Sequence, residues 1–177
     1  GRATGSVYQG TYGGSRDGFL AKFNGNGVRQ WGTYYGGSGE EYLQSVTIDS
    51  SSNIYCTGYT SSTSGIASSG ALQTSMGGGT YDSYLAKFNN NGALSCATYS
   101  GRSADDAGFS LVTDDKGFVY FGGVSGGTTG IATAGSYQSS HAGGYWDACL
   151  IKFNANGSRS WGTYFGGCTL LFFKKRK

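Results

Sequence analysis

Apolar positions in this chain come in short runs of alternating polarity, and no stretch keeps the spacing of an amphipathic helix. Across Gln44–Asp49, Val46 and Ile48 alternate with Ser45 and Thr47, the two-residue period of a strand. A polar turn at 50–53 separates this run from Ile54–Tyr59, and a second pair of runs covers Tyr81–Asn89 and Ala93–Tyr99. The turns inside the second kind of pair are 24–27 (Asn-Gly-Asn-Gly), 89–92 (Asn-Asn-Asn-Gly) and 154–157 (Asn-Ala-Asn-Gly). Asn and Gly supply the positive φ that a tight hairpin turn demands. Five hairpins are predicted, at 17–34, 44–59, 81–99, 109–124 and 147–164.

The hairpins belong to a repeat. The segment Asp17 to Asn24 (DGFLAKFN) returns as Asp82 to Asn89 (DSYLAKFN) and as Asp147 to Asn154 (DACLIKFN), at offsets of 65 residues. Trp31-Gly-Thr-Tyr34 has Cys96-Ala-Thr-Tyr99 and Trp161-Gly-Thr-Tyr164 as its counterparts. Glu40-Glu41 matches Asp105-Asp106, Gln73 matches Gln138, and Gln9 is the first copy's equivalent with one residue deleted before Asp17. A Gly/Ser/Thr-rich loop, 60–80 or 125–145, joins the two hairpins of each unit. Four antiparallel strands per unit describe a propeller blade, so the expected fold is all-β. The expected layout is a partial unit 3–38, units 39–103 and 104–167, and an atypical apolar and basic tail 168–177. That is about 2.5 blades, whereas a closed ring takes about 4–8. Open blades expose sheet edges and faces. The expected partners are therefore copies of the chain or further blades of a longer one.

Residues 35–42 (YGGSGEEY), 46–62 (VTIDSSSNIYCTGYTSS) and 77–88 (GGGTYDSYLAKF) resemble the SBBP β-propeller repeat. The phrase Gly27 to Gly37 (GVRQWGTYYGG) is similar to versions of that repeat in exported proteins of gliding and adhesive Bacteroidetes. The resemblance runs from Ala3 to Gly167. It implies a secreted or cell-surface chain that serves as a scaffold or adhesion module, is not an enzyme, and shares no set of catalytic residues with its family. The family's loop often carries Phe-Pro after Thr-Ser-Ser, where this chain has Gly65-Ile66 and Gly130-Ile131 and no proline.

Composition narrows the function classes. Charged residues are only 13% and aromatics 15%, a balance that permits a packed core and argues against disorder. The basic run Lys174–Lys177 supplies more than the whole net charge of +3, so the body offers no basic face for nucleic acid. No apolar run approaches the roughly 18 residues of a membrane-spanning helix. The opening Gly-Arg-Ala-Thr precedes no apolar stretch, so no leader is read there, which leaves secretion open.

Candidate chemistry sits in the repeats. Glu40, Glu41, Asp105 and Asp106 follow Gly/Ser-rich turns, and an oxygen-ligand site for calcium is one reading of them. Turn hydrogen bonding and blade contacts are the other. Tyr59, Tyr81, Tyr145 and Trp146 lie at or beside the long loops, where rings can stack on sugar faces. They suggest a lectin-like, glycan-binding alternative with one site per repeat, set against simple packing between blades. Asp17, Asp82 and Asp147 precede each Leu-x-Lys-Phe strand and read as turn residues accepting backbone N–H groups. His141 replaces Met76 of the preceding unit and reads as exposed. Cys56, Cys96 and Cys149 replace large apolar residues and read as small buried hydrophobes, while Cys168 lies in the tail. The glycine run 77–79 precedes no Gly-Lys-Ser/Thr and no helix, so it is not a phosphate loop.

Overall fold

The computed structural model describes residues 3–5 and 7–167, and every regular element in that range is a strand. In chain order these are β1 (Gly18–Phe23), β2 (Arg29–Tyr35), β3 (Glu41–Ile48), β4 (Ile54–Thr60), β5 (Asp82–Phe88), β6 (Leu94–Ser100), β7 (Asp106–Thr113), β8 (Val119–Ser125), β9 (Asp147–Phe153) and β10 (Arg159–Phe165). They form antiparallel sheets ordered β3-β4-β5-β6 and β7-β8-β9-β10, with β1-β2 as a two-stranded sheet. The fold is all-β, and each four-stranded meander is a propeller blade. The β1–β2 hairpin is the equivalent of β5–β6, the outer half of a blade. Cys168 and the 168–177 tail lie outside the described residues.

Local chemistry sets the hairpins. The side chain of Asn24 accepts N–H bonds from Asn26 and Val28, and that of Asn89 accepts from Asn91 and Ala93. Gly27, Gly92 and Gly157 close these turns at φ of 76°, 82° and 85°, a region costly for residues with a Cβ. Asp49 and Asp114 do the same work in the other hairpins, bonding the N–H groups two and four residues ahead.

The apolar core lies between sheets. Leu20, Trp31 and Tyr35 of the half-blade meet Ile54, Cys56, Tyr84, Phe88 and Tyr99 of the first full blade. From the opposite face of that blade, Tyr55 and Leu85 meet Leu111, Val119, Phe121, Ile151 and Phe153 of the second. Alternating residues of β4 and β5 therefore serve different interfaces. Both faces are covered, so the two strands are buried almost continuously, as expected of a sheet sandwiched on both sides.

Edge strand β3 departs from the pattern. Val46 and Ile48 are 52% and 62% exposed because they face the two-stranded β1–β2 sheet, which among the described residues has no second hairpin to cover them. Leu111, which holds Val46's place in the next unit, is 8% exposed.

The long loops do more than connect. Ser68 N–H donates to Ala97 O, and Tyr99 N–H donates to Gln73 O. The second blade repeats this with Thr133 to Gly162 and Tyr164 to Gln138, and the half-blade with Thr4 to Gly32 and Tyr34 to Gln9. Each loop thus occupies the outer edge of its sheet, a place where a bare strand would recruit another.

Leu85 and Leu150 occupy one repeat position but are 3% and 41% exposed. Leu85→Ala is expected to cost about 2–4 kcal/mol and Leu150→Ala under about 1 kcal/mol in urea unfolding. Equal losses would contradict this packing of the blades.

Candidate functional site

Strand alternation splits each acidic pair. Glu41 and Asp106 point inward and are 1% exposed. Glu41 accepts hydroxyl bonds from Thr60 (2.5 Å) and Ser62 (2.6 Å) and an N–H bond from Gly37 (2.9 Å). Glu40 turns the other way and accepts the hydroxyls of Tyr42 (3.3 Å) and Tyr81 (3.2 Å). Asp105 accepts the backbone N–H groups of Thr80 (2.5 Å) and Tyr81 (3.2 Å) and the hydroxyl of Tyr145 (3.3 Å). The two members of each pair therefore sit on opposite faces. Among the described residues, no group of three or more His, Cys, Asp or Glu is arranged to hold a metal ion.

The aromatic candidates gather into two clusters. Tyr59 stacks on Tyr42 at 4.6 Å between ring centres, with Tyr81 edge-on to Tyr59 at 5.3 Å. The Arg16 guanidinium lies 4.6 Å above the Tyr42 ring. This half-buried platform carries Glu40 at its rim. In the second blade, Trp146 takes the place of Tyr81 and meets Tyr145 edge-on at 5.2 Å. Ala107 and Val124 stand where Tyr42 and Tyr59 stood, so no three-ring platform forms. Sequence reasoning missed Tyr42 and Arg16. Tyr42 follows the acidic pair directly, but its repeat partner Ala107 bears no ring and gave no signal.

The repeated aspartates tie loop to strand. Asp17 accepts from Gln9 Nε2 (2.6 Å) and Gly13 N (2.8 Å), and Asp82 from Gln73 Nε2 (3.2 Å) and Gly77 N (2.6 Å). Asp147 accepts from Gln138 Nε2 (3.2 Å) and Ala142 N (2.6 Å). The other end of each glutamine accepts the N–H of a glycine just past the outer strand: Gly36, Gly101 or Gly166. These glycines are obligatory for a steric reason. A Cβ on Gly101 would lie 2.6 Å from Asp82 Oδ1 and 2.8 Å from Asp106 Oδ2. The same point at Gly36 falls inside contact distance of Asp17 and Glu41.

Asp82 and Asp106 thus face each other across the blade junction. Asp82 Oδ1 and Asp106 Oδ1 are buried without a hydrogen-bond partner. The first junction is better satisfied because Glu41 is one methylene longer and has Ser62 beside it, where the second junction has Gly127. Burial pushes Asp82 up to about 7, with the Asp106 carboxylate adding to the shift against the Gly77 hydrogen bond. Burial also raises Asp106.

His141 is not exposed as its loop position suggests. Its side chain is 3% exposed, with Nε2 3.9 Å from Asp147 Oδ1. Its Nδ1 accepts the Gly143 N–H, and its ring stands edge-on to Tyr164 at 6.0 Å, because the loop folds back onto β10. Cys56 and Cys149 are buried free thiols pushed up to about 12 by burial, whereas Cys96 is part-exposed.

With this geometry in place, residues 30–65 match the family model described as SBBP, beta-propeller repeat. That segment of the chain is an SBBP-type β-propeller repeat. The matched SBBP segment runs from β2 through β4 into the loop, so it spans the first junction and contains Gly36, Glu41, Thr60 and Ser62. No curated protein matches the chain.

Between its ordinary value of 3.8 and about 7, the folded chain holds a proton on Asp82 that the unfolded chain has lost. This contribution to stability is therefore full at acid pH, falls as pH rises through 7, and then levels off. Asp82→Asn removes the slope. Its stability relative to the parent should rise with pH by about 3 kcal/mol at most, read from urea unfolding at pH 4.5 and pH 8. Parallel pH profiles would show that Asp82 is not raised.

Proposed function

We propose that this chain is a non-catalytic scaffold or adhesion module, secreted or held at a cell surface, which works through its loop faces and by joining further blades of its own kind. Those blades come from copies of the chain or from a longer protein. The observation that carries this reading is the face bearing Leu150. Leu20 and Leu85 are 8% and 3% exposed because a following blade covers them, while Leu150 is 41% exposed. A second site points the same way. Strand β5 pairs with both β4 and β6, whereas among the described residues β1 pairs with β2 alone, so two strands of a blade fit along its other edge. Hydrolysis by the repeated aspartates is disfavoured, because Asp17, Asp82 and Asp147 are 8%, 0% and 1% exposed and engaged by loop donors.

A glycan-binding reading has its own support in the Tyr42–Tyr59–Tyr81 platform. Half-buried rings beside a carboxylate and a guanidinium offer both a stacking surface and hydroxyl partners for a sugar. The unlike equivalents in the second blade argue for one such site here, not one per repeat.

Light scattering of the purified chain is expected to give a discrete mass well above 18.4 kDa, and Leu150→Lys should shift it towards the monomer. A compact monomer in both cases would rule out assembly from copies. On a glycan array, Tyr59→Ala should abolish any saturable signal of the parent, and a blank array for the parent would remove the sugar reading.

A further inference from the structure

A cavity of about 570 Å³ opens at the junction of the two full blades, lined among others by Tyr55, Ala71, Leu85, Lys87, Cys96 and Gly157. The corresponding place one blade earlier is filled by the Trp31 indole, the equivalent of Cys96. The Trp31 ring lies so close over Gly92 that a Cβ there would meet it at 2.9 Å. At Gly157, the equivalent of Gly92, a Cβ would meet Cys96 Sγ at 3.1 Å. Val7, packed on the core cluster that contains Trp31, corresponds to Ala71. A separate pocket of about 340 Å³ lies beside Trp31 towards Val46 and Ile48 of β3. Two large side chains have thus been exchanged for small ones around one slot.

The polar group beside the slot is kept. Asn90 O accepts the Trp31 indole N–H (3.0 Å) and the Lys22 ammonium (3.4 Å). At the second junction Ala155 O accepts Lys87 at 2.9 Å, and no indole stands there to supply a second donor. A carbonyl oxygen has two lone pairs, and Ala155, next to the lining residue Asn156, holds the place from which Asn90 O takes both donors one blade earlier. The Lys87 ammonium also lies 5.2 Å from the centre of the Tyr55 ring, which places a cation beside an aromatic wall. Cavities with apolar walls and a few fixed polar groups are the usual form of small-molecule sites.

We infer that this junction binds a small molecule carrying an indole-type ring, a planar fused aromatic with a ring N–H, in the slot that Trp31 fills one blade earlier. The ring lies over Gly157 against Leu85 and Tyr55, and its N–H donates to Ala155 O. This site is separate from the assembly face and from the tyrosine platform, so it stands or falls independently of the function proposed above.

The test titrates indole into the whole chain by calorimetry, with Cys96→Trp as the filled-slot variant and benzofuran as the ring lacking an N–H. Saturable one-site binding of indole is expected for the parent, at least tenfold weaker binding for Cys96→Trp, and roughly fivefold weaker binding of benzofuran for loss of one hydrogen bond. Because Cys96→Trp could fail to fold, a second measurement uses the parent alone. Saturating indole should slow iodoacetamide labelling of Cys96, read by peptide mapping. No saturation, equal binding to parent and folded Cys96→Trp, or unchanged labelling of Cys96 would each overturn the inference.

Discussion

The hydrogen-bonded clamp between a loop glutamine and the first aspartate of the third blade strand is the interaction on which the rest of this structure depends. It is formed by Gln9–Asp17, Gln73–Asp82 and Gln138–Asp147. One side chain fixes three things: the loop through the glutamine backbone, the start of the strand through the aspartate, and the end of the outer strand through the glycine N–H bonded to the glutamine oxygen. The loop is thereby laid along the outer strand, where its backbone groups cap that edge. The clamp also draws the aspartate under the loop, next to the acid that opens the following blade. Burying charge there is costly, so the clamp's donors and the raised proton affinity of Asp82 are two responses to one constraint.

The repeat keeps this frame while varying what stands inside it. At the first junction Glu41 reaches two hydroxyls and a backbone N–H, and Trp31 fills the outer slot. At the second, Asp106 is shorter, a serine has become Gly127, and Trp31's place is taken by Cys96. The backbone register is unchanged in strands β3–β4 and β7–β8, down to a bulge after Leu43 and after Gly108. Residue changes on a constant frame therefore alter which oxygens are satisfied and which volumes are filled. The first junction favours a closed joint, and the second leaves two buried oxygens without partners and an open slot.

Much of the fold was legible in the sequence, because hairpins announce themselves through turn chemistry. Asn89 and Gly92 fixed one turn, and the 65-residue offset carried it to Asn24 and Asn154. Equivalence of Gln9, Gln73 and Gln138 could be seen, but its purpose could not, since nothing in linear order says that a glutamine reaches an aspartate eight or nine residues on. The separation of Glu40 from Glu41 was implicit in strand geometry, where consecutive side chains face opposite ways. A cation-binding reading of adjacent acids has to satisfy that period. Val46 and Ile48 show the limit of periodicity. Alternation says that they share a face, while the number of strands in the neighbouring sheet decides whether that face is covered. The burial of His141 depends on where its loop lands, which pattern does not encode.

Capping of the outer edges by loops bears on how blades are added. A bare outer strand would invite pairing with any exposed strand, which is the usual route to disordered association. Here β2, β6 and β10 each have a loop bonded along them, and among the described residues two places still call for a blade element: the Tyr120–Leu150 face of the second blade and the side of β1 away from β2. Each calls for the same element. The face matches what Leu111 and Val119 of β7–β8 present to Tyr55 and Leu85, and β1 lacks the hairpin that β3–β4 supplies to β5. One inner hairpin, packed on Leu150 through its face and paired to β1 through its edge, would meet both demands. In a repeat whose units contact only their neighbours, the proposed joining of blades would be guided by face chemistry and edge register together, which would admit blades of this sequence type and exclude strands that carry only one of the two.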